Sequence, residues 1–168
     1  MALIKHGKLV DDVWVTIENA TDFSSAEYQI IPFEIWEENA QTLRGFKTPL
    51  GIRLSTDQPP SLIEDDLELF KLVALEFPKF TDGRAYSHAR MLRERYRFGG
   101  ELRAVGNVLR DQLMFMLRCG FDAFEVQNSE PLQAWREAME EINVWYQPTA
   151  DGRVLNRSGH YASSDDQC

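Results

Sequence analysis

Lys71-Leu72-Val73-Ala74-Leu75-Glu76-Phe77, stopped by Pro78, reads as a buried strand, because a run of seven that is mostly apolar and bounded by a breaker is too short for a buried helix. Asp82 then supplies a helix N-cap. Ala85, Ala89, Leu92 and Tyr96 follow at helical spacing, which predicts an amphipathic helix through about Tyr96. Glu101-Leu102-Arg103-Ala104-Val105, set between Gly99-Gly100 and Gly106, is the next strand. Two apolar strands joined by a single amphipathic helix make a βαβ unit, and so a parallel pair.

The same alternation continues on both sides. Toward the C-terminus, Leu109 to Arg118 is a helix with Leu109, Leu113, Met116 and Leu117 inward, closed by Gly120. Phe121 to Val126 is a strand; Ser129 caps a helix whose stripe is Leu132, Trp135, Met139 and Ile142; Asn143 to Gln147 is a last short strand. Toward the N-terminus, Ser61 and Glu64 have capping-box spacing ahead of an acidic helix to Leu67, and Leu50 to Leu54 is a strand. Pro32 precedes a helix from Phe33 to Leu43, ended by Gly45. Ala2 to Lys5 and Val13 to Ile17 read as two short strands, with turn chemistry at Gly7 and Asp11-Asp12. The expected class is α/β: alternating βα units on a mainly parallel sheet of about five strands, as an open sheet or a partial βα barrel. An N-terminal appendage (1–48), an α/β domain (49–148) and a mobile, aperiodic tail (149–168) complete the division.

Composition narrows the chemistry. The 168 residues carry a net charge of −9, which gives a polyanion no overall electrostatic attraction and excludes nucleic acid as an expected partner. Two cysteines without paired ligands imply neither a disulfide framework nor a zinc site, as suits a reducing cytoplasm. No apolar run approaches the roughly 18 residues of a membrane span. The charge is uneven: residues 79–118 hold 9 Lys/Arg against 4 Asp/Glu, whereas 1–78 hold 6 against 14 and 119–168 hold 3 against 9. A basic block inside an acidic chain marks a surface for an anion or an acidic partner.

In such folds ligands bind at the carboxyl ends of the strands. The expected rim therefore comprises Lys79 to Arg84, then Gly106, Asn107, Arg110 and Asp111, then Gln127 to Ser129. Arg84, Ser87 and Arg90 recur every three residues along one helix and could edge one oxyanion. Arg93, Arg95 and Arg97 read as a solvated or partner-facing edge. Glu101 and Arg103 share one side of their strand and read first as a buried ion pair. Asp82, His88 and Glu101 are weak candidates for proton transfer, and Cys119, at a helix end, lacks what would activate a thiolate. No metal-site spacing, dinucleotide-binding glycines, P-loop or nucleophile elbow is present, so no cofactor or metal is implied.

Phe77-Pro78-Lys79-Phe80-Thr81-Asp82-Gly83-Arg84-Ala85-Tyr86-Ser87, Ala89-Arg90-Met91-Leu92-Arg93, Gly100 to Leu109, Asp111-Gln112 and Arg118 to Phe124 resemble, in order and spacing, a bacterial family catalogued as DUF934. Asp11-Asp12-Val13-Trp14 also resembles that family's N-terminal pattern, which extends the resemblance over about residues 1 to 148. The resemblance implies no established activity. Genes of this family commonly lie beside those for the haem-containing subunit of assimilatory sulfite reductase and for phosphoadenylylsulfate reductase. It thus implies a cytoplasmic accessory protein of sulfate assimilation and sulfite reduction that docks on one of these reductases. The expected anion-binding or partner-binding surface joins Lys79 and Asn107 of the strand-end rim to Arg84, Ser87, Arg90, Arg103 and Arg118, which the resemblance also marks, and a small oxyanion is a further expected ligand. The alternative is a small enzyme acting on a sulfur oxyanion or sulfur metabolite by acid/base chemistry, without a redox cofactor of its own.

Overall fold

The computed structural model describes residues 2–19, 27–79, 81–127 and 130–141, with 154–155 and 161–162. The chain is α/β, and its main sheet has eight strands in the order β2-β1-β8-β7-β6-β5-β4-β3. These are β1 (Ala2–Lys5), β2 (Lys8–Val10), β3 (Val15–Thr16), β4 (Gln29–Pro32), β5 (Leu50–Leu54), β6 (Phe70–Phe77), β7 (Glu101–Gly106) and β8 (Ala123–Val126). From β3 to β8 every neighbouring pair is parallel, in chain order. At the far edge β1 pairs antiparallel with β8 and, through the His6-Gly7 turn, with β2. The sheet is therefore mixed and larger than the mainly parallel sheet of about five strands expected. Four of its strands come from the first 48 residues, which are built into the sheet.

The sheet must curl. β2 and β3 lie at opposite edges, yet only residues 11–14 join them, and that link reaches at most about 18 Å. Eight strands laid flat would separate their edges by roughly 34 Å. The result is a half-barrel with helices on its convex side: α1 (Phe33–Leu43), a 3₁₀ segment (Pro60–Leu69), α2 (Arg84–Arg90, continued by a π turn at Met91–Arg95), α3 (Leu113–Arg118, led in by a 3₁₀ turn at Arg110–Gln112) and α4 (Pro131–Glu141). The expected strand at 143–147 lies outside the described residues. Within 149–168, β9 (Val154–Leu155) and β10 (Tyr161–Ala162) pair antiparallel.

Strand periodicity assigns the two faces. Val73, Leu75 and Phe77 of β6, Leu102 and Ala104 of β7 and Phe124 of β8 point outward. They form one core with Trp36 of α1, Ala85, Ala89 and Leu92 of α2, Leu113 and Met116 of α3, and Trp135 of α4. Leu109, expected inward, is more than a third exposed, because it precedes the helix in extended conformation. Ser61 does not cap its helix: Pro59 and Pro60 set the entry, and Pro60 occupies the first turn, where its fixed φ suits a helix start. The concave face carries a second, smaller cluster of Ile30, Leu72, Ala74 and Val105, on which Trp14 packs. Gly51 makes room for that indole, since a Cβ there would lie 3.2 Å from both Trp14 and Leu72.

Candidate functional site

On the concave face, strand register places Arg53 of β5, Ala74 of β6 and Arg103 of β7 in one row, with Glu76 two residues along β6. The trough is thus charged where the convex side is apolar. Arg103 is fully buried, and its guanidinium donates to Glu101 at 2.8 Å, to Asp12 at 2.7 and 3.1 Å and to Glu125 at 3.3 Å. Lys5 of β1 closes the set on Glu101 at 2.6 Å. Burial works against the Arg103 charge, but the hydrogen bonds and charges of Asp12 and Glu101 outweigh it, so the group is held in its ionised form. Asp12 belongs to the link between β2 and β3, so this cluster clasps the strap that curls the sheet.

At the strand-end rim, Arg84 donates to Asp82 through Nε (3.0 Å) and Nη2 (2.7 Å), and to the Thr56 hydroxyl at 2.9 Å. Asp82 also accepts the Arg84 backbone N–H, while Gly83 occupies the helix N-cap position expected for Asp82. These bonds hold the Asp82 carboxyl far below the usual carboxylate range. Lys79 and Asn107 are exposed on the same rim, where the Asn107 N–H donates to the Phe77 carbonyl at 2.7 Å. Arg84 and Arg90 start at positions about 9 Å apart along the helix axis, and Arg90 turns instead to Glu94. Ser87 is exposed on α2, and Arg118 is half-buried at the end of α3. The structure brings Lys79, Arg84 and Asn107 to one rim but places Ser87, Arg90 and Arg118 along the helices. It sets Arg103 and Glu101 on the opposite face of the sheet.

Arg93 is tied into the fold rather than lying on a solvated edge: it donates to the carbonyls of Phe98, Gly100 and Gly120 and to Asp122. His88 is half-buried and its Nδ1 meets no partner among the described residues; burial, then the Arg84 charge, lower its pKa, so it is neutral at pH 7. Among the described residues no group of three His, Cys, Asp or Glu side chains could hold a metal ion. No described helix is long and apolar enough to cross a membrane.

Cys119 is buried, and burial pushes its thiol up to about 11, against the pull of Arg90 and Arg118. In a Cys168→Ser background, the folded protein is therefore expected to resist alkylation at pH 8 and to react fully only after denaturation. Native-state modification as fast as that of a free peptide cysteine would refute this burial.

The family described as "Bacterial protein of unknown function (DUF934)" matches residues 51–155. The chain belongs to that family. The DUF934 match takes in β5 through α4, including Arg53, Glu76, Arg84, Arg93 and Arg103, whereas Asp12, Trp14 and Glu34 precede it. No curated protein matches the chain. Sequence reasoning did not single out Arg53, Thr56 and Gln58 of this DUF934 protein. The available signal was Arg53 itself, a charge two positions from a glycine inside an otherwise apolar strand.

One surface feature stands apart from the ion pairs. Tyr86 of α2 stacks edge-on against Phe77 at 5.1 Å and against Phe115 of α3 at 4.7 Å, yet Phe115 is 56% exposed. Burial, then the charges of Cys119 and Asp111, push the Tyr86 hydroxyl up to about 12. Further along the same two helices come Arg90 and Arg118, whose charges both pull the Cys119 thiol down. An aromatic anchor beside arginines is the composition of an interface hot spot.

Proposed function

We propose that this protein is a docking module of assimilatory sulfite reduction. It binds an acidic surface of the haem-containing sulfite reductase subunit, or of a neighbouring phosphoadenylylsulfate reductase, through the outer α2–α3 face. The observation that carries this reading is the exposed Phe115 ring, braced by Tyr86 and followed along the same helices by Arg90 and Arg118. A large aromatic side chain left in water gains about 1.5–3 kcal/mol when a partner covers it. The exposed Arg90–Glu94 pair contributes little to the free protein, so Arg90 can exchange partners at small cost. The resemblance to the family supplies the class of partner. A protein contact suits this basic block better than a bare oxyanion, because Arg84 already satisfies Asp82 and Thr56.

Tagged protein recovered from its host grown on sulfate as sole sulfur source is expected to carry one of these reductases in stoichiometric amount. Phe115→Asp should lower that recovery by about thirtyfold, a typical loss for a central interface residue, with an unchanged circular dichroism spectrum. Added salt should weaken the wild-type complex by screening the arginines. Wild-type protein that elutes alone, or a Phe115→Asp variant that recovers the partner as well as wild type does, would overturn the reading.

A further inference from the structure

A separate cavity opens at the carboxyl ends of β4, β5 and β6, on the concave side and away from the α2–α3 face. It encloses about 210 Å³ and is lined by Pro32, Glu34, Arg53, Ser55, Gln58 and Glu76. Three adjacent parallel strands supply Pro32, Arg53 and Glu76, and the segments that follow β4 and β5 supply Glu34, Ser55 and Gln58, in the position where βα folds place ligands. The volume falls below the roughly 300–1,000 Å³ of pockets that take drug-sized ligands.

The lining is held in place and only partly satisfied. Gln58 is pinned at both ends: its carbonyl accepts the Ser55 N–H at 2.9 Å, and its amide donates to Glu34 Oε1 at 2.7 Å. This fixes Glu34 in the first turn of α1 with one carboxylate oxygen committed. Arg53 meets Glu76 as an ion pair, Nη2 to Oε1 at 3.1 Å, with both side chains about one-third exposed. A guanidinium fork can make two parallel hydrogen bonds to a carboxylate, whereas Arg53 and Glu76 meet here only as an ion pair. The cavity therefore offers one cationic fork and two carboxylates from separate elements.

From this arrangement we infer a binding site for a small zwitterion, a free α-amino acid, whose carboxylate takes the open edge of Arg53 and whose ammonium lies against Glu34 and Glu76. A net charge of −1 on the lining repels dianions such as sulfite or phosphate. Arg53, seated on Glu76, repels a divalent cation and a simple diamine. Only a ligand carrying both charges answers both halves of the lining. This site does not depend on the docking face, and either can fail alone.

The test is ¹H–¹⁵N NMR of the full chain titrated with glycine, L-alanine and L-serine, with acetate and methylammonium as half-molecule probes. Saturable shifts at Ser55, Gln58 and the Arg53 side chain are expected with the amino acids and not with either half at about 10 mM. Glu34→Gln, at an exposed helix start, and Arg53→Gln should each weaken the affinity at least about tenfold. Should Arg53→Gln fail to fold, Glu34→Gln alone carries the comparison. No saturable shift with any amino acid, equal shifts with acetate, shifts confined to other residues, or unchanged affinity in Glu34→Gln would each overturn the assignment.

Discussion

Arg103→Ala is expected to be the most destabilising single substitution in the concave face. Removing the guanidinium leaves Glu101, with a side chain only 7% exposed, facing Asp12 and Glu125 with Lys5 as the sole remaining cation of the cluster. Breaking one partner out of a buried ion cluster costs about 3–5 kcal/mol. In a chain of this size each kcal/mol moves Tm by roughly 2–4 °C, so a fall of about 6–20 °C is expected by calorimetry. Arg103→Lys retains the charge but loses the fork, and should fall between wild type and alanine. Because Asp12 holds the strap between β2 and β3, amide exchange in Arg103→Ala should rise first in β1, β2 and β3. A Tm within about 2 °C of wild type would mean that the cluster does not hold the curl.

How much of this was legible in the sequence follows from how far each determinant lies along the chain. Local determinants were readable. The strand at 50–54, the helix at 33–43, the core of the strand at 70–77 and the apolar stripe of α2 all follow from spacing within a dozen residues. The antiparallel pairing of β1 with β8 was not, because it joins residues more than a hundred positions apart and no local pattern encodes that register. β4 escaped notice for another reason: Gln29-Ile30-Ile31-Pro32 is too short to show alternation and ends in a residue that usually interrupts sheets. The candidate site divides in the same way. Glu101 and Arg103, two apart on one strand, were readable as a pair, whereas Asp12 arrives from 91 residues away. The spacing of Arg90, Arg93, Arg95 and Arg97 likewise could not say which guanidinium would be captured by carbonyls.

The architecture gives these residues their separate uses. Strands β3 to β8 in chain order, with the described helices on the convex side, leave one face of the sheet for side-chain chemistry and one outer helical surface for contact. Arg53, Glu76 and the Arg103 cluster occupy the first, and Phe115, Arg90 and Arg118 the second. A substitution on the α2–α3 face should therefore alter partner capture without moving amino-acid binding, and the converse should hold for Glu34→Gln. Sites that share no partner usually behave independently.

Arg93→Ala is the second large effect expected, and it acts at the opposite end of the strands. Arg93 donates to Gly120 at 2.9 Å, to Gly100 at 2.8 Å, to the Phe98 carbonyl and to Asp122 at 2.8 Å. It thereby pins the π turn after α2 to the two loops that lead into β7 and β8. Asp122 in turn accepts the Leu102 N–H at 2.9 Å. Losing a charged donor with four acceptors costs about 2–4 kcal/mol, or a fall in Tm of roughly 5–15 °C. The deficit should also depend on pH. Burial raises the Asp122 pKa and the Arg93 charge opposes that rise, so removing Arg93 lifts it further. An acid whose folded value lies above its unfolded value of about 3.9 favours folding below that value and loses the contribution as pH rises through the folded one. The stability gap between wild type and Arg93→Ala should therefore widen from about pH 4 to pH 7, read as ΔG from urea unfolding at each pH. Arg93→Lys should recover part of the gap and flatten its pH dependence. A gap that stays constant across that range would show that Asp122 does not sense Arg93. A gap near zero would remove Arg93 from the residues that hold the fold.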